Sequence, residues 1–180
     1  MDFAKKKAEK DEWYTPQEAI IPILKYLKPN SMIWCPFDLE ESLFVKILSK
    51  SGHTVINTHI SNNGDFFKIH IPECDYIVSN PPYSLRNDIL QRLFKIGKPF
   101  AMLMNANGVF DSDLRWCLFR DNNFTFIYLK KRVNYMAVYG EKPKSSPPFQ
   151  SVYICSGISD KQIIFEEQCK TINNTKRWFN

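Results

Sequence analysis

No stretch of the 180-residue chain approaches the ~20 consecutive apolar residues that a membrane-spanning helix requires. The opening Met1-Asp2-Phe3-Ala4-Lys5-Lys6-Lys7 has no apolar core of the kind a signal peptide carries. A soluble, cytoplasmic chain with no membrane partner is therefore expected. Nor is there a C-x-x-C pair among the five cysteines, Cys35, Cys74, Cys117, Cys155 and Cys169, or a tight Cys/His cluster at zinc spacing. Reduced, mostly buried thiols and no metal are the expectation. His53, His59 and His70 show no ligand spacing, and His59 reads as the end of a strand. Compositional bias is missing too: 44% hydrophobic, 14% aromatic and 24% charged residues exclude collagenous, low-complexity and disordered classes. The length suits one core and one site.

Charge is present but unevenly placed. Residues 1–12 carry four Lys against four acids, and residues 13–129 carry eleven basic and eleven acidic side chains. Residues 130–180 hold nine Lys/Arg against four acids, so the whole formal +5 lies in the last 51 residues. That asymmetry suits a polyanionic partner, with a solvated basic tail as the plain alternative. The expected organisation is a charged arm over 1–12, a domain over 13–157 and a basic extension over 158–180.

Along the chain, hydrophobic periodicity and turn residues alternate strands with helices. Trp13-Tyr14-Thr15-Pro16-Gln17-Glu18 predicts a helix start with Thr15 as N-cap, Pro16 at the first helical position and Glu18 closing a capping box. Trp13 and Tyr14 serve equally well as a hydrophobic staple there. That helix should end near Lys28-Pro29. Met32 to Cys35 reads as a strand, Pro36-Phe37-Asp38 as its turn, and Leu43, Phe44, Ile47 and Leu48 as a helix closed by Lys50-Ser51-Gly52. Strands are expected from Thr54 to Ile60, Cys74 to Ser79, Pro99 to Met104, Phe124 to Leu129 and Gln150 to Cys155. Helices are expected from Arg86 to Lys95 and from Asp111 to Arg120, with a turn at Asn62-Asn63-Gly64-Asp65. This pattern predicts an α/β fold, doubly wound around a mostly parallel sheet, with an antiparallel C-terminal strand.

The chemistry concentrates in Asn80-Pro81-Pro82-Tyr83. In an open α/β sheet, ligands bind beyond the carboxyl ends of the strands, which is where the run Tyr76 to Ser79 delivers these residues. Each proline fixes its own φ and pushes its predecessor into extended conformations, so Asn80-Pro81-Pro82 is a stiff peg. It can hold the Asn80 amide oxygen and the Pro81 carbonyl as two fixed acceptors. Such acceptors suit a planar amine, because taking both N–H hydrogens localises a lone pair otherwise delocalised into the ring. Tyr83 can stack on a base swung out of its duplex. The plain alternative is a strand-ending turn.

These residues resemble the S-adenosylmethionine-dependent amino-methyltransferases, and within them the DNA adenine-N6 methyltransferases, closest to the short forms of bacteria and their phages. Asn80-Pro81-Pro82-Tyr83 matches their catalytic motif. Trp13-Tyr14-Thr15-Pro16 is similar to the segment that lines the methionine end of the cofactor, and Gly64-Asp65-Phe66-Phe67 to the acidic-aromatic loop that meets its adenine. The resemblance spans about Trp13 to Cys155 and implies a Rossmann-like methyltransferase sheet that transfers a methyl group from S-adenosylmethionine to the exocyclic amine of adenine in DNA. It implies catalytic roles for Asn80, Pro81, Pro82 and Tyr83, and cofactor contacts from Tyr14, Thr15, Pro16, Pro36, Phe37, Asp38, Asp65 and Phe66. The chain departs from the pattern after its first strand: Cys35 stands where the family has an acid, and Asp38-Leu39-Glu40-Glu41 stands where it has glycines. At the end of the second strand Thr58-His59 replaces the ribose-binding acid, leaving Asp65 as the acidic candidate. Three acids at a helix N-terminus would also repel a dinucleotide pyrophosphate, whereas a sulfonium ligand carries no phosphate. Asp38 reads first as an N-cap and second as a ligand; Phe66 and Phe67 read first as core. An RNA or protein-glutamine methyltransferase, and a non-catalytic binding protein of the same fold, stay open as alternatives.

The family usually adds a target-recognition region after the catalytic half, yet only about 25 residues follow Cys155. Base reading is therefore expected from loops at Leu85 to Asp88 and Val133 to Pro148, or from another chain, either a second copy or a separate specificity partner. Phosphate contacts are expected from Lys130, Lys131, Arg132, Lys142 and Lys144.

Overall fold

The computed structural model describes residues 14–136 and 147–168. Its centre is a seven-stranded sheet of β1 (Met32–Cys35), β2 (Thr54–Asn57), β3 (Tyr76–Ser79), β4 (Phe100–Asn105), β5 (Thr125–Leu129), β6 (Ser151–Ser156) and β7 (Ile163–Glu166). The spatial order is β2-β1-β3-β4-β6-β5-β7. The pairings β2-β1, β1-β3, β3-β4 and β5-β7 are parallel, and β6 runs antiparallel to both neighbours. The fold is thus α/β on a mostly parallel sheet, and the returning strand of the sequence reading is antiparallel as expected. β6 inserts between β4 and β5, and β7, inside the expected basic extension, adds a further parallel strand.

The central strands are apolar at nearly every position because helices cover both faces. Period-two alternation divides the core. Ile33, Cys35, Tyr76, Val78, Ala101, Leu103, Tyr153 and Cys155 face α1 (Gln17–Ile20), the 3-10 turns Ile21–Tyr26 and α2 (Leu43–Lys50). Trp34, Ile77, Met102, Met104, Val152 and Ile154 face α3 (Arg86–Ile96) and α4 (Asp113–Asp121). Three of the four described cysteines, Cys35, Cys74 and Cys155, are buried thiols, and Cys117 is an exposed one.

Helix starts are where local reading errs. α1 is preceded by Pro16, with no side chain capping it, and Thr15 is buried. The expected Thr15 cap and Glu18 capping box are therefore not formed. Pro22, which lacks an N–H and would clash with the carbonyl four residues back, limits the α-helix to four residues and hands over to 3-10 turns. α2 is capped by Ser42, whose hydroxyl accepts the Phe44 N–H at 3.2 Å, and its first turn holds no acid. Asp38 is therefore not the N-cap, and Asp38, Glu40 and Glu41 lie in the loop ahead of the helix. Leu85 to Asp88, expected as a loop, is the entry into α3. α3 stops at Gly97, whose φ of 72° places it in the left-handed region that glycine tolerates. Among the described residues, no helix is long and apolar enough to cross a membrane.

Candidate functional site

The strand order reverses between β1 and β3: the chain leaves β1 for β2 on one side and returns to β3 on the other. A crevice at the carboxyl ends is expected at such a point. The ladder ends early there. β1 and β3 pair at Ile33–Tyr76 and Trp34–Ile77 and no further, while Cys35 pairs with Asn57 of β2 and Ser79 with Met102 of β4. The two strands part, and Pro36-Phe37-Asp38 leaves one lip of the opening while Asn80-Pro81-Pro82 leaves the other.

Asp38 spans the opening. It is 7% exposed, its Oδ2 accepts the hydroxyl of fully buried Ser79, and its Oδ1 accepts the hydroxyl of Ser42. Its backbone is fixed as well: the Asp38 N–H donates to Thr58 O at 3.2 Å, and Asn57 Nδ2 donates to Asp38 O at 3.3 Å. Burial raises its carboxyl from 3.8 to about 6, against the opposing pull of the two serine hydroxyls. Asp38 and burial together keep the neighbouring Cys35 a neutral thiol, burial being the larger cause.

Asn80 follows Ser79 directly, its amide oxygen Oδ1 buried, and Pro82 is extended at φ −63° and ψ 119°. Tyr83 turns the chain into α3. Its hydroxyl shares a 2.6 Å hydrogen bond with that of Tyr135, which in turn meets Ser151 Oγ at 2.9 Å. The Tyr83 ring lies edge-on to Tyr135 and Phe149, with centroids 6.4 and 5.7 Å away. Burial holds Tyr83 well above the ordinary phenol range and pushes Tyr135 up to about 12, so both are neutral hydroxyls and neither is a base near pH 7.

The Tyr14 to Pro16 segment reaches the same region, because Tyr14 pairs antiparallel with Met136, the neighbour of Tyr135, through N···O distances of 2.9 and 3.0 Å. Thr15 and Pro16 are buried, and Trp13 lies outside the described residues. On the β2 side, Gly64 passes so close to His59 that a Cβ would lie 2.7 Å from the His59 nitrogen. Asp65 is turned onto its own loop, accepting the Phe67 N–H at 3.0 Å and pairing with Lys68 at 3.2 Å. Phe66 is core, packed on Trp34 and Phe37 at centroid distances of 5.6 and 4.9 Å. Phe37 is half-buried. His59 caps the 3-10 turn Ile60–Asn62.

Lys130, Lys131 and Arg132 follow β5 at the same edge of the sheet as Asn80, all three exposed. Lys130 is paired with Glu167 at 2.7 Å, and Arg132 reaches the Pro147 carbonyl at 3.4 Å. Lys142 and Lys144 lie outside the described residues.

Sequence reading missed Ser42, Ser79, Tyr135, Ser151 and Arg86. Only Ser79 left a signal, a polar residue closing an otherwise apolar strand immediately before the motif. Arg86 donates to the carbonyls of Asn105 at 2.9 Å, Asn107 at 3.0 Å and Gly108 at 3.3 Å. Arg115 adds bonds to Gly108 O at 2.7 Å and Val109 O at 2.8 Å. Arg86 thus binds the loop after β4 to the helix that the motif enters, and Arg115 binds it to α4. Among the described residues no group of three His, Cys, Asp or Glu is placed to hold a metal. No protein-family model and no curated protein matches this chain.

Proposed function

We propose that this chain, as a Rossmann-like methyltransferase, transfers a methyl group from S-adenosylmethionine directly to the exocyclic N6 amine of adenine in DNA. The observation that carries the reading is the parting of β1 from β3 with Asn80-Pro81-Pro82-Tyr83 on one lip. The charge of the surrounding loops suits a cationic cofactor: Glu40 and Glu41, both exposed, follow β1 and Asp65 follows β2, and no phosphate-binding glycine loop accompanies them. Pro36 and Phe37 on the first lip, Tyr14 to Pro16, and the loop of Asp65 and Phe66 would hold the cofactor, which supplies an electrophilic methyl group on sulfonium sulfur.

The chain's own residues do the rest. Asn80 Oδ1 and the Pro81 carbonyl accept hydrogen bonds from the two N–H groups of the amine and localise its lone pair, the surplus proton of the methylated amine leaves to water, and the prolines keep both acceptors from turning aside. Tyr83, neutral and braced by Tyr135 and Phe149, offers an aromatic contact to a base drawn out of the stack and takes no proton. Lys130, Lys131 and Arg132, on the same edge, supply phosphate contacts that locate the duplex without reading it.

Incubation of the purified chain with methyl-labelled S-adenosylmethionine and separate DNA, RNA and protein acceptors tests this. Label in the N6 position of adenine in DNA is expected. Label in RNA or in protein glutamine overturns the acceptor assignment. Calorimetry that detects no cofactor binding, in folded protein with DNA present, leaves a binding protein that keeps the fold without transfer. Asn80→Ala should lower the rate by ~10²–10³ while leaving cofactor affinity nearly unchanged.

A further inference from the structure

Asp38 is a buried acid whose two carboxylate oxygens are both committed to serine hydroxyls, which leaves it badly placed to be a cofactor ligand. Its two partners lie on different elements. Ser42 caps α2, and Ser79 is the last residue of β3, joined by one peptide bond to Asn80. The β1-β3 ladder has ended by then, so between these two strands the Asp38–Ser79 hydrogen bond replaces backbone pairing at the level of the motif. We propose that Asp38 is a positioning residue, fixing Asn80 through Ser79 and tying the peg to the loop on the opposite lip. This rests on the methyl-transfer reading for its purpose but on the hydrogen-bond geometry for its substance.

The charge state matters because an ionised carboxylate accepts from both hydroxyls, whereas a protonated one has a hydrogen of its own to place. The surroundings keep the titration simple. From β1 the neighbouring ionisable group is Cys35, and from β6 it is Tyr153; burial raises both well above their ordinary values, and the Asp38 charge adds to each. β2, α2 and β3 present Asn57, Ser42 and Ser79, which do not titrate. Glu40 and Glu41, on the Asp38 loop, are exposed or nearly so.

The test follows the Asn80 side-chain amide by NMR, its resonances identified by their loss in Asn80→Ala. In the wild-type chain they should move with pH at a midpoint near 6, set by Asp38. Asp38→Asn should abolish the movement, and Ser79→Ala should reduce it while the Asp38 carboxyl itself still titrates. Amide resonances that ignore pH, or that respond equally in Asp38→Asn, would overturn the proposal whether or not the chain methylates anything. Activity gives the second readout: Asp38→Asn should lower kcat by about ten- to a hundredfold, as for a slightly misplaced reacting group, with less than about a threefold change in KM for the cofactor. The acid limb of the wild-type kcat profile should disappear with it. A loss confined to KM would instead make Asp38 a cofactor ligand and overturn the positioning role. Absence of activity in the wild-type chain would count against the methyl-transfer reading alone, since the amide titration decides the positioning role without it.

Discussion

Asp38→Asn should change how stability depends on pH, in a direction that burial fixes. The Asp38 carboxyl is raised from 3.8 to about 6, burial being the dominant cause. Because the folded value lies above the unfolded one, between about pH 4 and pH 6 the folded chain keeps a proton that the unfolded chain has released. The Asp38 contribution to stability is therefore full below about pH 4 and is lost as pH rises through 6. At about 1.4 kcal/mol per pH unit, the interval from 3.8 to about 6 corresponds to about 3 kcal/mol. Asparagine carries no charge at any pH and can still accept one serine hydroxyl and donate to the other. Urea unfolding of both proteins at pH 4, 5, 6 and 7 isolates the effect, since Cys35 and Tyr153, which feel the Asp38 charge, stay neutral throughout that range. The stability of the variant relative to wild type should climb by roughly 2 kcal/mol across that range, so that near pH 7 the ionised Asp38 is revealed as a cost to folding. A difference that stays flat, or that falls with pH, would refute the account by showing that the carboxylate is held by charge and not penalised by burial.

Tyr83→Ala should weaken productive base capture by ~1–3 kcal/mol, read as KM for DNA, and Tyr83→Phe should be much milder because the hydroxyl bonds Tyr135 while the ring is what stacks. Equal losses in the two variants would mean that the hydroxyl, and not the ring, matters. Replacing Lys130, Lys131 and Arg132 by Ala should weaken DNA binding alike for all sequences and flatten its salt dependence by about two phosphate contacts, the Lys130–Glu167 pair having to break before Lys130 counts. An unchanged slope would show these residues to be solvated surface. Gly64→Ala should cost about 1–3 kcal/mol in thermal unfolding, because its Cβ would lie 2.7 Å from the backbone nitrogen of His59.

Most of the strands and the motif were legible in residue types alone. Apolar runs such as Met32 to Cys35, Tyr76 to Ser79 and Phe100 to Met104 are strands because both of their faces must be buried, and the same runs mark the centre of a mostly parallel sheet. The prolines of Asn80-Pro81-Pro82 restrict their own backbone, so a rigid strand-end peg was legible from residue types alone. What the sequence left open was decided by contacts between residues far apart in the chain. Asp38 and Ser42 both suit a helix cap, and only the packing of the β1 loop against β3 gives the cap to Ser42 and buries Asp38 against Ser79, 41 residues away. Ile163-Ile164-Phe165-Glu166 lies in a segment that reads as a basic tail, and it becomes a strand because the outer edge of β5 offers it a ladder. Tyr135 carries no motif; it joins the site because Tyr83, Phe149 and Ser151 converge on it. Local chemistry specifies what a segment can form, and tertiary packing decides which of its polar groups are removed from water and whom they must then bond.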